Sequence, residues 1–294
     1  MTRTRIRDRT YRVPRRMMRL LGGAAALAIL PAVVAVQPAM AARPCYGDCQ
    51  PGVVRGFGDL RYDAPVGVDD QITVRVENGS FVLTDPTATL IAGTGCTLVT
   101  PHEAHCQVGA SPSIRIRGLD GNDVITNSTG IPAHLFGETG NDQLVGGSGD
   151  DTMDGGFGGD VLQGGGGSDT VSYGETGGRL AIRADLDGAT GDDGGPEDGP
   201  EGARDTIAAD VENLEGGTAD DVLIGNAGPN VIDGGGGRDQ IQGLGGADQL
   251  TGKNGGGTLD GGAGTDHCIS DIRLVSGPPD TFVNCEFTQI ITAF

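Results

Sequence analysis

Ten oxygen-bearing side chains recur at one phase of this sequence: Asp123, Asp142, Asp151, Asp160, Asp169, Asp221, Asn230, Asp239, Asp248 and Asp266. Each is the sixth residue of a nine-residue unit that opens on glycine. Each stands two positions before a large apolar residue or, in the last unit, Cys268. Carboxylates brought into line by such a period repel one another unless a cation lies between them. The glycines around them let backbone carbonyls approach an ion closely. Six to eight carboxylate and carbonyl oxygens are the ligand set of calcium, whereas magnesium demands a smaller octahedral shell and keeps its waters. The pattern points to Ca2+ as the bound ion and to these ten residues as its candidate ligands.

The elements that position them follow from the same period. Units run without a gap from Gly137 through Gly146, Gly155 and Gly164, and again from Gly216 through Gly225, Gly234, Gly243, Gly252 and Gly261. An earlier unit starts at Gly118 and precedes a degenerate turn over 127–136. Ala219, Asn230 and Gly257 depart from the pattern, Gly257 by standing where a carboxylate belongs. Behind each acid comes a tripeptide with an apolar centre, a minimal strand that points one side chain inward. The inward set is Ile125, Leu144, Met153, Leu162, Val171, Leu223, Ile232, Ile241, Leu250, Leu259 and Cys268. A single unit buries one side chain and cannot stand alone, while stacked units bury a thin continuous core. Tryptophan is absent and aromatics make up 4% of the chain, which argues against a large conventional core. The predicted fold is all-β, a β-solenoid of nonapeptide repeats.

In the order Gly-Gly-x-Gly-x-Asp-x-(large apolar)-x, these units resemble the repeats-in-toxin (RTX) family, the hemolysin-type calcium-binding repeats. The resemblance covers about 118–172 and 216–269. It implies a parallel β-roll in which two units make one coil, with calcium held between turns two units apart. The turns that pair are then 118/137, 137/155 and 146/164 in the first tract, and 216/234, 225/243, 234/252 and 243/261 in the second. Under that geometry Asp239 is the only phase-matched carboxylate between turns 234 and 252. Gly257→Asp is then expected to add a ligand there.

The flanks complete the predicted division. In 42–117, Gln71–Glu77 and Ser80–Thr84 alternate like half-buried strands around the turn signal Asn78-Gly79, giving a β-rich N-terminal cap region. His102-Glu-Ala-His105 is one residue short of a zinc-protease motif and lies between two cysteines, so it is read as a solvated loop. Residues 173–215 interrupt the period: a strand over 179–186, a flexible acidic loop from Gly191, and a rung at 211–214 that feeds the second tract. The solvated, flexible reading of that loop is preferred to further calcium binding. Residues 270–294 are the C-terminal cap.

Residues 1–41 hold eight arginines and one acid, then an apolar run from Leu20 to Val36 and Ala39-Met40-Ala41, the order of an export signal peptide. The rest carries 12 basic and 39 acidic residues, a net of −27, which repels nucleic acid and attracts cations. No membrane span is expected after signal cleavage. All six cysteines follow the signal, as in disulfide-bonded exported proteins, and six allow many connectivities. Sequence neighbours are the expected pairs: Cys45–Cys49, Cys96–Cys106 and Cys268–Cys285, the last folding the tail across the open end of the roll. The 76 residues between signal and first unit hold no Gly-x-Ser-x-Gly and no complete His-Glu-x-x-His. The expectation is a secreted, extracellular calcium-binding protein of structural or adhesive type, without catalysis. Its further partner would be a cell-surface or matrix glycan or protein. The alternative is a calcium-dependent polysaccharide-acting enzyme or a surface adhesin.

Overall fold

A computed structural model of the chain describes residues 52–56, 58–174, 180–200, 202–273 and 278–292, all within the compact unit Met40–Phe294. The predicted signal peptide and the Cys45–Cys49 pair lie outside the described residues.

Every regular element among the described residues is a β-strand. The short apolar-centred segments are too brief to form a helix, and glycine-rich turns bound them at both ends. Strands pair in parallel with the strand two units further on, so the chain coils into a parallel β-solenoid. One face is a single twelve-stranded sheet that runs through both repeat tracts. Along it Tyr62, Ile116, Leu135, Met153, Val171, Leu214, Ile232, Leu250 and Cys268 stand in register, and all are buried. The opposite face is divided. An eight-stranded sheet carries Ile72, Ile125, Leu144, Leu162 and Ile207. A five-stranded sheet carries Ala184, Leu223, Ile241, Leu259 and Phe282. The core is the double file of side chains between these faces. Its thinness is a consequence of one inward residue per strand.

The interruption between the tracts differs from its predicted form. The segment from Gly191 is built of turns and isolated bridges, and it is not a free acidic loop. Arg183–Asp185 opens the five-stranded sheet by pairing with Val222–Ile224, and Thr206–Ile207 closes the eight-stranded one by pairing with Val161–Leu162. Antiparallel bridges Arg183↔Gly194 and Asp193↔Asp205 join the two. Asp193, whose Oδ atoms accept the N–H groups of Asp185 at 2.7 Å and Ile207 at 3.0 Å, holds the joint. Acid-rich composition suggested solvation, but Asp193 and Asp198 accept backbone amides instead.

His102-Glu-Ala-His105 is also not a loop. Glu103–Gln107 is a strand paired antiparallel with both Ser80–Thr84 and Cys96–Thr100. The Cys96–Cys106 disulfide joins cross-strand partners whose Cα atoms are 4.1 Å apart. The two imidazoles are engaged separately, His102 with the Ala88 carbonyl and His105 with Glu103. The tail is tied by Cys268–Cys285 as expected. It caps the solenoid by adding one more coil, Thr281–Val283 on the divided face and Phe287–Ile291 on the continuous one.

Candidate metal centre

The parallel register brings the repeated acids into two ladders, one along each edge of the solenoid. All ten predicted site residues are 2% exposed or less. In each ladder the Oδ1 of one acid accepts the backbone N–H of the residue one coil earlier. Asp142 takes Asp123 at 2.7 Å, Asp160 takes Asp142 at 2.7 Å, and Asp169 takes Asp151 at 2.9 Å. In the second tract Asp239 takes Asp221 at 3.0 Å, Asp248 takes Asn230 at 2.9 Å, and Asp266 takes Asp248 at 2.9 Å. These links join turns 118/137, 137/155, 146/164, 216/234, 225/243 and 243/261.

The second oxygen is the informative one. The Oδ2 atoms of Asp123, Asp142, Asp151, Asp160, Asp169, Asp239, Asp248 and Asp266 are buried and have no hydrogen-bond partner in the protein. A carboxylate oxygen left so costs about 1–3 kcal/mol or more, and a row of them is not tolerated without compensation. Each Oδ2 lies over the first glycine of its own unit. A Cβ on Gly137 would stand 2.2 Å from the Asp142 Oδ2 and 2.5 Å from the Gly155 carbonyl. On Gly146 it would stand 2.7 Å from the Asp151 Oδ2 and 2.6 Å from the Gly164 carbonyl. On Gly243 it would meet the Asp248 Oδ2 at 2.2 Å and the Gly261 carbonyl at 2.8 Å. The opening glycine is therefore required for space, where carboxylate and carbonyl oxygens of adjacent coils converge.

Burial also shifts the acids upward. It raises Asp123, Asp142, Asp151 and Asp239 to about 7 against the partial relief of a backbone N–H. Asp169 and Asp248 rise to about 6 for the same reason. Asp160 and Asp205, buried side by side, are both raised, first by burial and then by a neighbouring carboxylate. A positive ion near these groups reverses the shift.

The profile of the RTX calcium-binding nonapeptide repeat, in four copies, matches residues 136–171 and 215–250. These two tracts are RTX repeats. No curated protein matches the chain. The RTX coils extend structurally past the matched residues, from the unit at Gly118 to that at Gly261. The donor set fits the calcium such repeats bind: oxygen only, anionic, and paired with glycine carbonyls. Asp123, Asp142, Asp151, Asp160, Asp169, Asp239, Asp248 and Asp266 are the residues that would hold it.

Two predicted ligands have protein partners instead. Asp221 accepts the Ile182 N–H at Oδ1 and the Gly217 N–H at Oδ2. Asn230 accepts the Asn226 N–H and donates to the Glu212 carbonyl. The turn at Gly252 differs as well. Asp280 from the tail supplies the ladder carboxylate by accepting the Gly257 N–H at 2.8 Å, and its Oδ2 takes the Ser270 hydroxyl. Gly257 itself is pressed on the coil beneath: a Cβ there would lie 2.3 Å from the Asp239 carbonyl. Aspartate at 257 clashes with backbone before it can act as a ligand, so the expected gain from Gly257→Asp is withdrawn.

Sequence reasoning missed the ladder members outside the glycine units. Asp70 donates its N–H to Asp123, Asp205 accepts that of Asp160, Glu212 that of Asp169, and Glu286 that of Asp266. A signal was present. Asp70-Gln-Ile72, Asp205-Thr-Ile207, Glu212-Asn-Leu214 and Asp280-Thr-Phe282 repeat the acid-x-apolar phase without the glycines.

Proposed function

We propose that this chain is a secreted, extracellular protein in which calcium completes and stiffens the RTX solenoid, serving a structural or adhesive role without catalysis. The row of buried, unpartnered Oδ2 atoms in phase with the repeat is the observation that carries the reading. Calcium supplies positive charge between coils whose acids otherwise repel. The chain's own residues set the spacing through the Oδ1 links. Export is supported by the sequence of 1–41 and by the disulfides Cys96–Cys106 and Cys268–Cys285, which persist in oxidising compartments. Among the described residues no helix is long and apolar enough to cross a membrane. The surface partner is proposed as a glycan or protein.

Circular dichroism of the disulfide-intact protein against free calcium tests the core of this reading. The expected result is weak β-structure in chelator and a cooperative gain with calcium, midpoint in the roughly 10⁻⁴–10⁻³ M range of extracellular modules. An unchanged β spectrum in chelator would refute calcium-driven folding. A glycan array and a polysaccharide-hydrolase screen, both with calcium present, separate adhesion from catalysis.

A further inference from the structure

The segment Arg183–Asp193 belongs to no nonapeptide unit. It leaves the five-stranded sheet at Asp185, turns at Gly188, which has a left-handed φ of 78°, and returns at Asp192 and Asp193. Asp193 closes the return on the Asp185 N–H. The alternation of a strand sends Ala184 and Leu186 into the core and Asp185 and Asp187 to the other side. The returning chain then covers that side. As a result one carboxylate oxygen each from Asp185, Asp187 and Asp192 lies within 4.8 Å of the other two.

Proximity of acids alone signifies little, but the hydrogen bonding here points to a ligand. Asp185 is only 5% exposed. Arg183 holds its Oδ2 at 2.8 Å, while its Oδ1 is buried with no hydrogen-bond partner. The Asp192 Oδ1 is likewise buried and unpartnered. Asp187 accepts the Ala189 N–H at Oδ1, which fixes its side chain beside the other two. Oxygens bound to one calcium at 2.3–2.6 Å can be no more than about 5 Å apart, so this spacing suits a common ion.

We propose that Asp185, Asp187 and Asp192 form a cation site separate from the nonapeptide repeats, which takes a hard divalent ion of calcium's class with water completing its shell. The site sits where the divided face passes from one sheet to the other. Its ion pins the loop 186–192 against Arg183–Asp185 and so secures the joint between the two tracts.

Hydrogen exchange of the full, disulfide-intact chain, with and without calcium, reads this site apart from the repeats. Peptides spanning 183–193 should gain protection with calcium. The variant Asp187→Asn/Asp192→Asn should reduce that gain, lower calcium stoichiometry by about one ion, and leave the gain over 137–172 intact. Asp187→Asn keeps an acceptor for the Ala189 N–H, and unchanged exchange over the strands at 71–84, which contribute nothing to the site, is the folding control for the double variant. Calcium-independent exchange over 183–193 in the unaltered protein overturns the proposal, as does a double variant that keeps both the protection and the full stoichiometry. Should 183–193 respond to calcium while 137–172 does not, the site stands and the repeat reading fails.

Discussion

A single repeat position is governed by space as much as by charge. Gly146 has an ordinary backbone, yet a Cβ there would press on the Asp151 Oδ2 and the Gly164 carbonyl. Gly166, in the next coil, would place a Cβ within 4 Å of nothing. Gly146→Ala is expected to destabilise the calcium-loaded protein by about 1–3 kcal/mol, the scale of overpacking. Gly166→Ala should be neutral or stabilise by about 0.4–1 kcal/mol through the unfolded chain. Thermal unfolding in calcium compares the two, and equal losses would show that glycine matters only for backbone freedom. The charge side of the same position is tested by Asp142→Asn, which keeps the Oδ1 link to Asp123 and removes the charge. Calcium titration should show a weakened first tract and an unaffected second one.

At the level of coils and strands, much was legible because a nine-residue period leaves few alternatives. The inward column from Ile125 to Cys268 follows from repetition alone, and the pairing of turns two units apart from the resemblance to RTX repeats. What the sequence concealed was order supplied by individual hydrogen bonds. Residues 191–200 have the composition of a solvated loop, but Asp198 accepts the Gly195 N–H and Asp193 bridges two strands. Composition counts acids without showing which amide each meets. The constraint on Gly257 is hidden for a similar reason, since its contact with Asp239 depends on the close approach of two backbones. Gly257→Asp should therefore lower the melting temperature and fail to tighten calcium binding by the second tract. A variant with higher affinity and unchanged melting would show that the coil at 257 can move aside. Cys285→Ser, which opens the bond to Cys268, should speed exchange over 267–291 and leave 137–172 unchanged.

For the molecule as a whole, the upward-shifted acids predict opposite pH responses with and without calcium. A carboxyl raised to about 7 when folded and near 3.8 when unfolded makes the folded state bind more protons between those values. In chelator that contribution is fully present below about 3.8 and is lost as pH rises through about 7. Acidification from pH 8 to pH 5 should therefore increase the β-structure present in chelator. In calcium the same change should lower the urea midpoint, because protons compete with the ion for Asp123, Asp142, Asp151 and Asp239. Parallel trends in both conditions would exclude the ladder acids as the ion's ligands.

The unbroken twelve-stranded face has a mechanical side. Its inter-strand hydrogen bonds run along the solenoid axis, so tension between the two ends falls on one rung at a time and peels the molecule like a zipper. Each released coil of the second tract, spaced as Asp221 is from Asp239, pays out about 60 Å of chain. Force spectroscopy should record a sawtooth with that spacing, higher peaks in calcium than in chelator. The loop locked between Cys268 and Cys285 should contribute no length until a reductant is added.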